Sequence, residues 1–575
     1  MDAGTILLDF PGPPGPLAFA APRRVISARS LADVRPALAA VEAEAAAGRW
    51  AAGYLAYEAG PALDPAIHAQ PPGPGPLAWF GVYDRPRRVR PAPRGDASLG
   101  PLVPDVGPDA YAEDIGRIRE AIARGEVYQV NHTFRLRGPF SGDPLALYER
   151  LRAAQGGGLA ALVHLGDRAV VSASPELFLE RRGALVRCRP MKGTARRGRF
   201  AEEDDAAARA LAASEKERAE NVMIVDLVRN DLGRVARTGT VRVAALFEVE
   251  RYRTVLQLTS TVEARLRSGI GLERLLAVAF PCGSVTGAPK STATRLIARL
   301  EGSPRGVYCG AVGYVAPGGD CAFNVAIRTV ELDLARGEAL AGVGGGVTWA
   351  SSAEGERDEA LAKGAFLEGR PEPFELVETL RLEAGRCPLL ARHLARLSAS
   401  ARHFGFALDL DAVEAALARE REVAAGGGRR VRLRVAADGS VRAAGEPLPE
   451  PAREPLPVAL CGRVSRGDPF LFHKTTRREV YERARRERPD VFDVLLSNEE
   501  GEATEFTIGN LVVELEGGLV TPPRGCGLLA GVFREELLAR GEVRERAVRP
   551  AEVARARRLW LVNAVRGWVP VRLVP

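Results

Sequence analysis

Apolar positions in the first 370 residues come mostly as short alternating or continuous runs, separated by stretches with helical spacing. In residues 1–95 the pattern predicts short strands and one helix, Leu31–Ala47, with Ser30 as N-cap. Trp50–Glu58 and Leu77–Tyr83 read as strands, and the Pro/Gly-rich tracts Gln70–Pro76 and Arg85–Pro104 as connectors. A helix is predicted from Asp109 to about Arg124, stopping at Gly125, and a strand follows through Asn131. Leu159–Leu165 and Ala169–Ser172 predict a hairpin that delivers S-A-S-P-E-L-F at Ser172–Phe178. Phe200–Val228 reads as one charged helix ending at Asn230–Arg234, and Gly283–Lys290 as a loop feeding a helix. Tyr308–Val315 and Cys321–Leu332 read as a hairpin that puts Arg328 on a strand, and an acidic helix carries Glu354–Glu359. Residues 370–373 read as a Pro-punctuated linker. Beyond it, Phe374–Leu382 predicts a strand, and Leu389, Leu390, His393, Leu394 and Leu397 share one helix face, with His393 expected half-buried.

Length and composition narrow the field. At 575 residues, 46% hydrophobic and 27% charged, the chain exceeds one core and has the make-up of a soluble globular protein. The net charge of +7 comes from scattered arginines without interleaved aromatics, which argues against nucleic acid. Seven dispersed cysteines form no C-x-x-C pair and suggest neither a disulfide framework nor a zinc site. No apolar run reaches ~18 residues and Met1–Pro11 lacks a signal pattern, so no membrane is expected and the location should be cytoplasmic.

The chemistry centres on Lys192 in R-P-M-K-G-T-A-R-R. Its Pro/Gly frame predicts a turn leaving the strand Ala184–Arg189, where burial and neighbouring cations would make the amine a nucleophile. Alone, such a lysine reads as a solvated turn. Glu217 and Glu220 share a helix face, and Glu356 and Glu359 repeat their spacing. Two such pairs facing each other would form an oxygen-only cage suited to Mg²⁺. Gly344-Gly345-Gly346 can offer backbone N–H groups to an anion. Gly283–Lys290 lacks P-loop spacing.

Six motifs in order, Ser172–Phe178, Pro190–Thr194, Glu217–Arg234, Gly283–Lys290, Asn324–Thr329 and Gly344–Glu359, resemble the chorismate-utilising enzymes, fully over residues 109–369 and loosely over 1–95. Anthranilate synthases carry alanine where Lys192 stands, whereas the aminodeoxychorismate synthase component I group carries a lysine thought to attack C2 of chorismate before ammonia enters at C4. Isochorismate- and salicylate-forming relatives also use a lysine, as a base for water. The resemblance implies Glu220 and Glu359 as principal Mg²⁺ ligands, with Glu217 and Glu356 as auxiliaries. It implies Glu176 as acid/base, and Tyr308 and Arg328 on the enolpyruvyl carboxylate with the backbone of Gly193, Thr194 and Gly344–Gly346. Where many relatives have V-H-Q, this chain reads Val255-Leu256-Gln257, without the histidine proposed to assist the C4 hydroxyl.

Residues 374–575 resemble the fold-type IV pyridoxal-phosphate enzymes. By motif position Lys474 is the Schiff-base lysine and Glu505 the carboxylate facing the pyridine nitrogen, with Arg396, Gly531, Val532 and Phe533 as the phosphate cradle. Trp560–Trp568 resembles the C-terminal segment of aminodeoxychorismate lyases. The expectation is an α+β protein: a chorismate-utilising β-sheet/helix fold over 1–369, then a two-subdomain fold-type IV enzyme over 374–575. The implied activity is Mg²⁺-dependent amination of chorismate, then pyridoxal-phosphate-dependent release of pyruvate to give 4-aminobenzoate for folate. The enzyme alternative is an anthranilate or isochorismate synthase fused to a branched-chain or D-amino-acid aminotransferase. A regulatory, inactive subunit has Leu256 as its sole support. No G-x-C-x-G elbow is present, so a separate glutamine amidotransferase subunit would supply ammonia. The second resemblance also implies a homodimer through the C-terminal domain.

Overall fold

The computed structural model describes residues 1–87, 91–367, 373–423 and 427–575. Most of the expected linker, 370–372, and part of the Arg85–Pro104 connector lie outside the described residues. The chain divides into two compact units: Met1–Arg196 with Ala208–Pro371, and Arg197–Ala207 with Glu372–Pro575. The second unit thus includes eleven residues encoded within the first half, which the linear pattern does not foresee.

In the first unit the alternating runs build two antiparallel sheets. One runs Gly287–Ala288, Gln129–Gly142, Glu338–Val347, Thr329–Asp333, Arg168–Ser174, Leu159–His164, Thr5–Asp9, Leu17–Phe19. The other runs Met191–Arg196, Val255–Arg265, Leu185–Arg189, Leu177–Arg182, Cys321–Val325, Ala311–Val315, Trp50–Leu55, Ala78–Tyr83, Arg24–Ala28. Ile6, Leu8, Tyr54, Val163, Val170, Val312 and Tyr314 join in one buried cluster between the sheets. Strands buried on both faces need near-continuous apolar sequence, which is why many of these runs do not alternate strictly. Helices cover the outer faces: Leu31–Ala46, Glu215–Gly233 and Leu272–Ala279 pack on the second sheet. Pro108–Ala123, Pro144–Gln155 and Lys290–Leu300 pack on the first.

Two local expectations need correcting. The charged helix is two helices, Ala201–Ala213 and Glu215–Gly233, because Ser214 turns extended and its hydroxyl accepts from Glu217 N. The hairpin is shorter than expected, Ala311–Val315 with Cys321–Val325. The chain then changes sheets, and Arg328 sits at the crossing with φ +50°, outside either strand.

The second unit has a three-stranded antiparallel sheet, Leu376–Leu382, Arg429–Val435, Val441–Pro447, backed by helices Leu390–Phe404 and Leu410–Val423 around one core. Its other part is a mixed sheet ordered Ala503–Phe506, Asp493–Asn498, Leu456–Val464, Gly567–Leu573, Arg558–Asn563, Asn510–Leu515, Gly518–Thr521, Arg544–Glu545. Glu505 also pairs with Asn510, so the first six strands close into a ring at that point. Among the described residues all seven cysteines are free, and no helix is long and apolar enough to cross a membrane.

Candidate functional sites

Lys192 lies on the strand Met191–Arg196 and not in a turn. Pro190 separates this strand from Leu185–Arg189, and a register shift against Val255–Arg265 between Met191 and Thr194 marks a bulge. Gly193 takes φ +98° there, a conformation that favours glycine, and Glu217 lies directly against it. Asn221 fixes the bulge from inside: its amide donates to the carbonyls of Lys192 and Leu258, each at 3.3 Å, and accepts from Ser260 Oγ at 2.6 Å.

Burial lowers the pKa of Lys192, with Lys363 adding to the effect and Glu220, Glu176 and Glu359 opposing it. Burial raises Glu176 to about 7 against the pull of Ser284 and Lys192. Glu176 is 3% exposed and its Oε1 has no hydrogen-bond partner. Both shifts favour the uncharged forms, a free amine beside a carboxylic acid, which is the pairing a nucleophile and a proton donor require.

Gly344, Gly345 and Gly346 lie on the strand Glu338–Val347, opposite Thr133, His132 and Asn131. A side chain at 346 would collide with the Gln129 amide and Lys192 Nζ, so glycine opens the floor beside the lysine. Gln129 was not anticipated. It is 1% exposed and neither of its amide atoms has a partner, so it stands ready for a ligand. An amide can donate and accept hydrogen bonds there but cannot act as a base.

The glutamate pairs lie on Glu215–Gly233 and Ala353–Gly364. Glu356 accepts from Ser351 Oγ at 2.6 Å and lies against Gly345, while Lys363 Nζ bridges Glu359 Oε1 at 2.7 Å and the Gly344 carbonyl at 3.2 Å. Burial raises Glu220 and Glu356, with nearby carboxylates adding to both; on Glu359 burial is outweighed by Lys363 and Lys192, leaving it lowered. Among the described residues no three His, Cys, Asp or Glu side chains converge at coordination distance. Crowded carboxylates that raise one another, presenting oxygen alone, nevertheless fit a hard divalent cation in donor chemistry.

Arg328 is half-buried, desolvation lowers its pKa, and its Nη1 donates to Gln155 Oε1. Among the described residues it has no carboxylate partner, so an incoming anion would complete it. Thr194 Oγ1 donates to Gln257 Oε1 at 3.1 Å. Tyr308 packs in the core under the Arg135 guanidinium, 5.1 Å from its ring centre, with Gly342 against its face. Among the described residues no hydrogen bond or ring contact ties Tyr308 to the lysine. Leu256 is fully buried opposite Ala195. A cavity of about 590 Å³ between Tyr54, Glu58, Arg168 and Glu331 includes none of the residues around Lys192.

In the second unit, the carbonyl of Lys474 accepts from Val377 N at 2.8 Å. Burial, helped by Arg396 and Arg478 and opposed by Glu378 and Glu505, lowers its amine to about 8. Glu505 is raised to about 7 by burial, although it accepts from Tyr481 Oη at 2.8 Å, Leu529 N at 3.0 Å and Asn510 Nδ2 at 3.3 Å. Gly531 caps the helix Val532–Ala539, and a side chain there would strike Asn510. Arg396 donates from Nη1 to the Ala530 carbonyl at 3.0 Å and forks onto Glu378 at 2.9 and 2.7 Å, so it holds the turn as well as lending charge. Glu378, which sequence reasoning missed, is held at about 2: burial is outweighed by Arg396 and His393. His393 is buried, not half-buried, and its Nδ1 lies 2.7 Å from Glu378 Oε2. Asn563 Oδ1 accepts from Val565 N and Arg566 N at 3.1 and 2.8 Å, making N-A-V-R-G-W a tight strand connection. A lysine amine lowered to about 8, a buried carboxylate and a glycine-led helix start fit pyridoxal phosphate.

Two family models match the chain in succession. Residues 87–369 match the model of a chorismate binding enzyme and residues 375–574 that of amino-transferase class IV, so the chain carries a chorismate-binding domain followed by a class IV aminotransferase domain. It is 40% identical over 359 residues to aminodeoxychorismate synthase of Streptomyces griseus, covering 62% of this chain and 46% of that one. It is 38% identical over 255 residues to aminodeoxychorismate synthase component 1 of Bacillus subtilis, covering 44% and 54%. The chain therefore spans about half the length of the curated relatives it matches. Anthranilate synthase component I from Streptococcus pneumoniae superposes with a TM-score of 0.53 at 26% identity, covering 64% of this chain and 91% of that one.

Proposed function

We propose that the first unit aminates chorismate to 4-amino-4-deoxychorismate and the second eliminates pyruvate from it to give 4-aminobenzoate. The observation that carries this is the half-buried Lys192, its amine against Gly346 and within the field of the buried, protonatable Glu176. Lys192 Nζ attacks C2 of the ring, the ring double bonds shift, and the C4–O bond breaks as Glu176 gives its proton to the departing water. Ammonia then bonds to C4, the double bonds shift back, and the C2–Nζ bond breaks. Arg328 holds a substrate carboxylate, and Gln129 orients the ring without competing as a base. Glu220 and Glu359, with Glu217 and Glu356 beside them, would hold Mg²⁺, whose charge would bind the ring carboxylate. Curated relatives named component 1 support a separate glutamine amidotransferase subunit as the ammonia source.

In the second unit Lys474 would carry pyridoxal phosphate and move the proton from C4 of the amine, Glu505 would face the ring nitrogen, and the Gly531–Phe533 turn would receive the phosphate. The cofactor supplies an electron sink for the C4 carbanion. Incubating the protein with chorismate, Mg²⁺ and an ammonium salt should yield 4-amino-4-deoxychorismate without pyridoxal phosphate, and equal amounts of 4-aminobenzoate and pyruvate with it. Anthranilate, isochorismate or a transaminated keto acid as the main product would overturn the reading.

Glu220→Ala and Glu359→Ala should each raise the Mg²⁺ concentration for half-maximal amination by about tenfold or more, since each removes an anionic ligand. Titrating Mg²⁺ against initial rate checks this; unchanged half-saturation in both variants would remove the glutamates from the metal.

A further inference from the structure

Eleven residues of the first half of the sequence, Arg197–Ala207, belong to the second unit. They follow directly on the strand that carries Lys192. The start of the segment is locked by a buried ion pair in which Arg197 Nε and Nη2 donate to Asp204 at 2.7 and 3.0 Å, while Nη2 also reaches the His403 carbonyl at 3.0 Å. Its middle touches the two residues that precede Lys474. The Arg199 carbonyl lies 3.1 Å from His473 Nε2, and Ser400 Oγ lies 2.9 Å from His473 Nδ1. With the hydroxyl donating to Nδ1 and Nε2–H donating to Arg199, the imidazole is neutral and held at both nitrogens. The His403 ring stacks on it at 4.4 Å. Phe200 packs on Phe472 with ring centres 5.2 Å apart, and the Arg524 guanidinium covers Phe200 at 3.9 Å. Arg199 Nη1 donates to the Arg466 carbonyl at 2.9 Å while its guanidinium lies over Phe472 at 4.8 Å.

We propose that Arg197–Ala207 is a working part of the second active site: Phe200 and Arg199 are positioning residues that, through Phe472 and His473, fix the backbone from which Lys474 reaches the cofactor. This rests on the reading of Lys474 as the cofactor-bearing lysine. It also makes the second site dependent on sequence far upstream of the expected linker. Hydrophobic burial keeps His473 neutral, at about 3, so the contact does not depend on protonation near neutral pH.

The test uses the full chain with Phe200→Ala and the milder Phe200→Leu. Pyridoxal phosphate is titrated in and the visible band of the lysine-bound cofactor is followed against pH, alongside the unfolding temperature and amination with ammonium. The charged groups acting on Lys474 are Arg396, Arg478, Glu378 and Glu505, and a shifted backbone changes its distance to all four. Phe200→Ala should weaken cofactor binding about tenfold and move the band's pH midpoint by about half a unit or more. Phe200→Leu should move both less, in the same direction, and amination should stay within about twofold of wild type in either variant. An unchanged midpoint and affinity in Phe200→Leu together with Phe200→Ala, even with a lower unfolding temperature, would overturn the proposal. If Phe200→Ala fails to fold, unchanged values in Phe200→Leu alone would do so. A wild-type protein that forms no band would instead remove the reading of Lys474, and this inference with it.

Discussion

Replacing Lys192 by alanine is expected to lower amination of chorismate by about a thousandfold or more, with ammonium or glutamine-derived ammonia, while pyruvate release from supplied 4-amino-4-deoxychorismate stays near wild type. The variant deletes the amine that lies against Gly346 and leaves the bulge in place, since Asn221 grips the backbone of residue 192 and not its side chain. The pH profile carries the same argument. Lys192 must be neutral to attack, so the rate should rise with pH through its lowered pKa; Glu176 must be protonated to donate, so the rate should fall as pH climbs through about 7. Glu176→Gln should remove the descending limb and lower the maximum. Measuring initial rates from pH 5 to about 9 checks both limbs. Near-normal amination by Lys192→Ala would take the covalent role from this residue.

The two families were more legible in the sequence than the geometry of their sites. Short-range signals were read correctly where one residue decides: Ser30 caps its helix through Asp33, and the Leu159–Ser174 hairpin forms about Gly166-Asp167. Pro190 and Gly193, which suggested a turn, instead bracket a bulge, because pairing with Val255–Arg265 extends the strand across them. Turn residues cannot show whether a distant strand is waiting to pair. Gly344–Gly346 could not show their full role for a similar reason: a side chain at 346 would strike Lys192 and Gln129, which come from other strands. Gln129, Glu378 and Tyr481 carried no local signal, since their importance comes from unpartnered or shared atoms inside a folded site. The transfer of Arg197–Ala207 to the second unit is the furthest such case. An ordinary charged segment acquires its role only when Phe472 and His473 are brought to it.

In the second unit, Lys474→Ala and Glu505→Gln should separate two functions that the wild type combines. Purified protein loaded with pyridoxal phosphate should be yellow, and Lys474→Ala should lose that band on washing and stop pyruvate release altogether, because the variant lacks both the cofactor linkage and the proton carrier. Glu505→Gln should keep the cofactor, since Gly531 and the Val532–Ala539 helix start are untouched. The amide can still accept from Tyr481 and Leu529 N, so the fold around it should persist. It cannot hold the pyridine nitrogen protonated, and pyruvate release should slow about a hundredfold as the C4 carbanion loses its sink. Burial already lifts Glu505 to about 7, which shows how costly an unpaired charge is at this position and why a cationic ring nitrogen would be a favourable partner. In both variants chorismate should still be aminated, so 4-amino-4-deoxychorismate should accumulate and be separable by chromatography. Undiminished 4-aminobenzoate from Lys474→Ala would end the lyase assignment, whereas a Glu505→Gln rate equal to wild type would remove only the ring-nitrogen role.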